Sequence, residues 1–178
     1  MKQTETWLAL AASLALAACH SSGTAVPRGA AETVSQQDLD FVTYATAIIR
    51  FDQMEGQLAQ KESRNPAVLA AANKMRGDVD YFAAQINRAA TRAGIRPPGV
   101  LPSDLRVRLA HMRLQPGVDF DKNYVNDQLY SHENNLAGLE DEAANGTVPE
   151  LRALAQQTVP VAKENIARLR SLQHSVPM

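Results

Sequence analysis

Asp52, Glu55 and His132 are the residues of this chain whose chemistry asks for an explanation, because helical spacing sets all three among apolar neighbours. Carboxylates and an imidazole together suit several divalent transition metals. The chain has His 4 in its composition, and the residues three positions before His20, His111, His132 and His174 are Ala17, Arg108, Leu129 and Ser171. The Glu-x-x-His pair with which helix bundles hold two metal ions is therefore missing. His132-Glu133 begins like a zinc-protease motif, but Leu136 takes the place of the second histidine. The plainer reading of His132 is a hydrogen-bonded core residue, and no metal site is favoured. The alternative is a reduced divalent-metal site built from Asp52, Glu55 and His132. Buried carboxylates need a partner or a shifted pKa, which keeps that alternative open. No phosphate loop, nucleophile elbow or haem-attachment motif is present, so the chain is not read as an enzyme.

Cys19 is the other reactive side chain and, with Cys 1 in the composition, excludes an internal disulfide. It ends an uncharged stretch running from Trp7 to Ala18, too short to span a bilayer and of signal-peptide length. Leu16-Ala17-Ala18-Cys19 resembles a bacterial lipobox, so residues 1–18 are expected to be a lipoprotein signal peptide and Cys19 to carry covalent lipid. Acyl chains contribute about 0.8 kcal/mol per buried methylene, enough for lasting attachment when two or more are present. By resemblance to the sorting rule of enteric bacteria, His20 after the cysteine points to the outer membrane, facing the periplasm. Residues 19–35 are small, polar and aperiodic, and read as a flexible tether.

The elements that must position Asp52, Glu55 and His132 are helices. In the first, Phe41, Ala45, Ile48, Asp52, Glu55 and Ala59 recur at steps of four and three. Asn65-Pro66 opens a second, with Leu69, Ala72, Met75, Val79, Phe82, Ile86, Ala89 and Ala93 on one side and Gly94 as its stop. The connector IRPPGVLP is followed by Ser103-Asp104, an expected cap for a short helix ending before Pro116-Gly117. A long helix from about Asp119 carries Val125, Leu129, His132, Leu136, Leu139 and Ala143, and breaks at Asn145-Gly146. The last helix starts near Pro149, with Leu151, Leu154, Thr158, Val161, Asn165 and Leu172 inward, and Pro160 predicts a kink. Met75 and Met112 read as gap-filling core residues. The expected fold is all-α: an antiparallel four-helix bundle over residues 36–174, with one short helix between long helices two and three.

FVTYATA, GQLAQKES, NPAVLAAANKM, GVDFDKNYV and TVPVAKENIARL, in that order, resemble the bacterial domain of unknown function 4142 family across residues 36–172. The resemblance implies a ferritin-like bundle, often carried by lipobox-bearing outer-membrane proteins. It also implies an Asp-His pair at Asp78-Val79, histidines at His132 and Asn165, and an acidic residue at Asp52. Only His132 keeps its histidine. Counting back from a turn near Asn145 places Val159 or Pro160 level with His132, and Asn165 well off it.

Lys+Arg 18 against Asp+Glu 19, scattered along the chain, argues against a nucleic-acid partner. The expected function is a non-enzymatic lipoprotein, tethered by its lipid to the membrane and acting through protein or envelope contacts. Metal binding is the alternative, and the sequence carries no sign of a small-molecule site between the helices.

Overall fold

The computed structural model describes residues 33–176. The residues expected to form a signal peptide, Cys19 and most of the expected tether lie outside them. Helices α1 (Gln36–Glu62), α2 (Pro66–Arg92), α3 (Ser103–Met112), α4 (Gly117–Asn145) and α5 (Pro149–Ser175) make up the body. The boundaries follow local chemistry. Asn65 Oδ1 accepts the Ala67 N–H at 2.9 Å, and Pro66 occupies the first turn of α2. Gly94 has φ 73, which lets the Ile95 N–H turn back to the Ala90 carbonyl at 2.8 Å and close α2.

α1 packs against α2 and α4, and α5 packs against α4 and α2. Cross-helix pairs fix the directions: Gln128 meets Glu55, Asn165 meets Asp78, and Arg92 meets Glu150. Every neighbouring pair is antiparallel, so α2 and α4 run in the same direction. The connection from α2 to α4 must then travel the length of the bundle, and α3 sits in it, packed on α1 and α4. One long crossover in a four-helix bundle is the ferritin-like connectivity.

Three apolar clusters hold this arrangement. Met75, Met112, Phe120, Tyr124, Leu129 and Leu169 belong to a tightly packed end. Val42, Ile86, Ala90, Val148, Leu151 and Leu154 close the other end. The crossover is pinned by Leu101, Leu105 and Leu109 against Ile48 and Phe51.

Several local expectations are corrected. Val34 packs against the second cluster and the Thr33 carbonyl accepts the Thr147 hydroxyl at 3.1 Å, so residues 33–35 belong to the folded body. Ser103 and Asp104 lie inside α3, whose first turn has no side-chain cap, and α4 begins at Gly117. α5 runs unbroken through Pro160, which faces solvent together with Gln156, whose carbonyl loses the proline's missing N–H.

Gly146 has an ordinary φ of −53, yet no larger residue fits there. A Cβ would stand 2.8 Å from the Glu142 carbonyl oxygen and closer still to its carboxyl group. Gly146→Ala is expected to cost roughly 1–3 kcal/mol by overpacking. Chemical denaturation, with an unchanged m-value, measures it.

Candidate functional site

Between the two apolar ends the four long helices do not close. They enclose a cavity of about 530 Å³, a volume typical of small-molecule sites. This explains why several inward positions are only half-buried. Phe41, Ala45, Leu139, Thr158 and Val161 face the cavity, while Val42 and Phe51, one residue round the helix, are fully buried. The mouth lies between α1 and α4, where the exposed lining residues Asp40, Tyr44, Gly138 and Asp141 stand.

The polar groups gather on the inner wall. Asp52, Asp78, Val79, His132 and Asn165 all line the cavity, so the positions marked by the family resemblance converge on one place. Register explains it. The pairs Gln156–Ala143, Lys163–Glu140 and Arg170–Glu133 set Asn165 opposite the stretch from about Asn134 to Gly138, a turn or two from His132 and nearer to it than Pro160 is. The count from Asn145 omitted the Gly146–Val148 link and the stagger of α5 along α4.

His132 Nδ1 lies 3.0 Å from the Gln128 carbonyl. A carbonyl only accepts, so Nδ1 carries the hydrogen of this bond. Asp52 accepts from Gln128 Nε2 at 3.3 Å. Burial pushes its carboxyl up to about 6, against the opposing pull of His132 and the Gln128 amide. It is nonetheless open to the cavity, where it is only half-buried.

Glu55 does not join them. Its carboxyl is behind the cavity wall, fully buried, and accepts Gln128 Nε2 at 2.5 Å. Burial, reinforced by the neighbouring Asp127 carboxyl, pushes Glu55 well above the ordinary glutamate range. Its Oε1 has no donor; a proton there supplies one toward Asp127, which Arg108 holds in a fork at 3.0 and 2.8 Å. The Arg108 guanidinium also lies 4.6 Å above the Phe51 ring. The carboxylates expected side by side are thus split, Asp52 toward the cavity and Glu55 into a layer that joins α3 to the bundle.

Asn165 Nδ2 donates to Asp78 Oδ2 at 3.2 Å, and Lys74 Nζ holds the same carboxylate at 2.7 Å. Among the described residues no group of three or more His, Cys, Asp or Glu side chains is placed to share a metal ion. Gln128, Asp127 and Arg108, which organise this wall, were missed because none falls on the apolar stripe. The spacing of Arg108 and Asp127 in separate helices leaves no local signal.

These features define a class of protein: an up-down-down-up helical bundle built around a side-opening cavity. The family follows from comparison. The profile of the "Domain of unknown function (DUF4142)" matches residues 23–172, and the chain belongs to that family. A crystal structure of a DUF305 fragment from Deinococcus radiodurans shares the fold, with TM-score 0.71 at 15% identity, over 80% of this chain and 98% of that one. No curated protein matches the chain.

Proposed function

We propose that this protein is a non-enzymatic binding protein, anchored by lipid at Cys19 to the periplasmic face of the bacterial outer membrane. The observation that carries the reading is the 530 Å³ cavity, open to solvent between α1 and α4 and polar on its inner wall. The anchor is supported by the lipobox of residues 16–19. No helix among the described residues is long and apolar enough to cross a membrane. The cavity also replaces undirected envelope contacts as the working surface, because it offers volume, an entrance and unsatisfied polar atoms together. A resident metal fits less well: Asp52 and His132 share the wall, but Glu55 faces away and, among the described residues, no three such side chains are placed to share an ion.

Purified from its own envelope, the protein should carry a clickable palmitate label and a non-covalently held small molecule, both read by mass spectrometry. Cys19→Ser should remove the label alone. Val161→Phe, which fills the cavity, should remove the small molecule alone. Absence of the label in the wild type would refute the anchor, and an unchanged bound molecule in Val161→Phe would refute the cavity.

A further inference from the structure

The charge and hydrogen-bonding balance of the cavity says what kind of molecule suits it. Four aspartates line it, Asp40 and Asp141 at the mouth and Asp52 and Asp78 within, with no lysine or arginine. Asp78 is already matched by Lys74 and Asn165. Asp52 has only the Gln128 amide at 3.3 Å, and that amide is held more closely by Glu55 at 2.5 Å.

Asn165 supplies a second, independent sign. It is 4% exposed, and its Oδ1 has no hydrogen-bond donor. Because Nδ2 faces the Asp78 carboxylate, exchanging the amide's oxygen and nitrogen would set oxygen against oxygen, so the orientation is fixed. Asn135 Oδ1, on the same lining, is also without a donor. The inner wall therefore presents acceptors in excess: the Asp52 carboxylate and two amide oxygens. Leaving a buried acceptor unpaired is unfavourable, and a ligand rich in N–H groups removes that cost.

Resting on the binding role proposed above, we infer that the cavity takes an organic ammonium ion, its protonated amine directed to Asp52 and Asn165 and its apolar body lying along Phe41, Ile48 and Phe82. The acidic mouth attracts such a cation and repels carboxylates. Phe41 and Phe82 line the cavity as aromatic groups, which attract cations as well as apolar chains.

The test uses the full-length chain with Cys19→Ser, titrated calorimetrically at neutral pH with decylammonium, decanol and decanoate, each below its aggregation threshold. Decylammonium should bind at least about tenfold more tightly than decanol, a difference of ~1.4 kcal/mol, and decanoate should give no saturable heat. Asp52→Asn should bring ammonium and alcohol within about threefold of each other, since it removes a charge and keeps the shape. Val161→Phe should abolish binding of both; Ala45→Leu blocks the cavity from α1 should the first variant lose its helical circular dichroism. Equal affinity for amine and alcohol, or a preference that survives Asp52→Asn, overturns the ammonium inference and leaves the binding role standing. No saturable heat from any of the three overturns both. Binding that persists in the filled variants places the ligand elsewhere and also overturns the inference.

Discussion

Asp38→Ala is expected to lower the stability of the bundle by about 3–4 kcal/mol, read as a fall in Tm of roughly 6–15 °C. Asp38 is fully buried and works for two helices at once. For α1 it completes a capping box: Ser35 N–H donates to its Oδ2 at 2.7 Å, while its own N–H donates to Ser35 Oγ at 3.1 Å. For α5 it is a cap supplied from another element. Val148 occupies the N-cap position and has no side-chain acceptor. Asp38 Oδ1 fills that role by accepting the N–H groups of Thr147 at 3.0 Å and Val148 at 3.1 Å, and the Thr147 hydroxyl also donates to its carboxylate. Its negative charge lies at the positive end of α5. Alanine leaves the Thr147 and Val148 N–H groups without partners, takes the shorter of two bonds from the Ser35 N–H, and unties α1 from the α4–α5 turn. Burial alone would raise the Asp38 carboxyl, but the bonds from Ser35, Thr147 and Val148 outweigh it and hold the group well below the ordinary aspartate range. A depressed folded pKa means that this contribution is present above the unfolded value and is lost only as pH falls below about 3.8. The destabilisation by Asp38→Ala should therefore persist at both pH 5 and pH 8, and be larger at pH 5, where neutral Glu142 gives its O–H to Asp38, than at pH 8, where removing the Asp38 charge relieves Glu142. Asp38→Asn, which keeps one acceptor and loses the charge, should cost about half as much. A loss under 1 kcal/mol for Asp38→Ala would show that water replaces the carboxylate, and the two-helix cap would not stand.

Much of the fold was legible because it is written in local rules. Asn65-Pro66, Gly94, Pro116-Gly117 and Asn145-Gly146 mark helix ends by backbone chemistry, and apolar spacing marks the inward faces. What spacing could not reveal was whether an inward face meets another side chain or empty space. Phe41, Ala45, Thr158 and Val161 obey the helical period as well as Val42 and Phe51 do, yet the former surround a cavity. That difference depends on the distance between helices, a property of the assembled bundle. The polar positions were identified correctly as inward, but their grouping depended on register. Asp52 and His132 meet the same cavity, Asn165 joins them because α5 is staggered along α4, and Glu55 turns to Gln128 and Asp127. The Asp38 cap was partly legible, since Ser35-x-x-Asp38 is an acidic variant of a capping box. Its second role was not, because Thr147 and Val148 lie more than a hundred residues away in the sequence.

The neighbour of Asp38 gives the second large effect, with the opposite dependence on pH. Glu142 is fully buried at the end of α4, and neither carboxylate oxygen has a hydrogen-bond donor. It packs into the space that the missing Cβ of Gly146 leaves. Burial, reinforced by the Asp38 carboxylate, raises its pKa to about 7. An ionised Glu142 would have a second carboxylate beside it, opposed by the Gln37 side chain alone; the neutral acid has an O–H to give to Asp38. The folded pKa is raised, so the linkage sign is reversed from that of Asp38. Stability is fully present below the unfolded value of 4.5 and declines as pH rises to about 7. Asp52, raised by burial to about 6, adds to the same decline from 3.8 upward. The wild type should thus have a higher Tm at pH 5 than at pH 8. Glu142→Gln isolates this group, because the amide keeps the shape and an N–H donor for Asp38 while losing the ability to ionise. The pair lies at the bundle end, closed to water but thinly covered, so the expected gain at pH 8 is about 2 kcal/mol, with little change at pH 5. Urea denaturation of both proteins at the two pH values decides it. Equal stability differences at pH 5 and pH 8 would mean that Glu142 is ionised in the folded protein, and that another donor reaches it in solution.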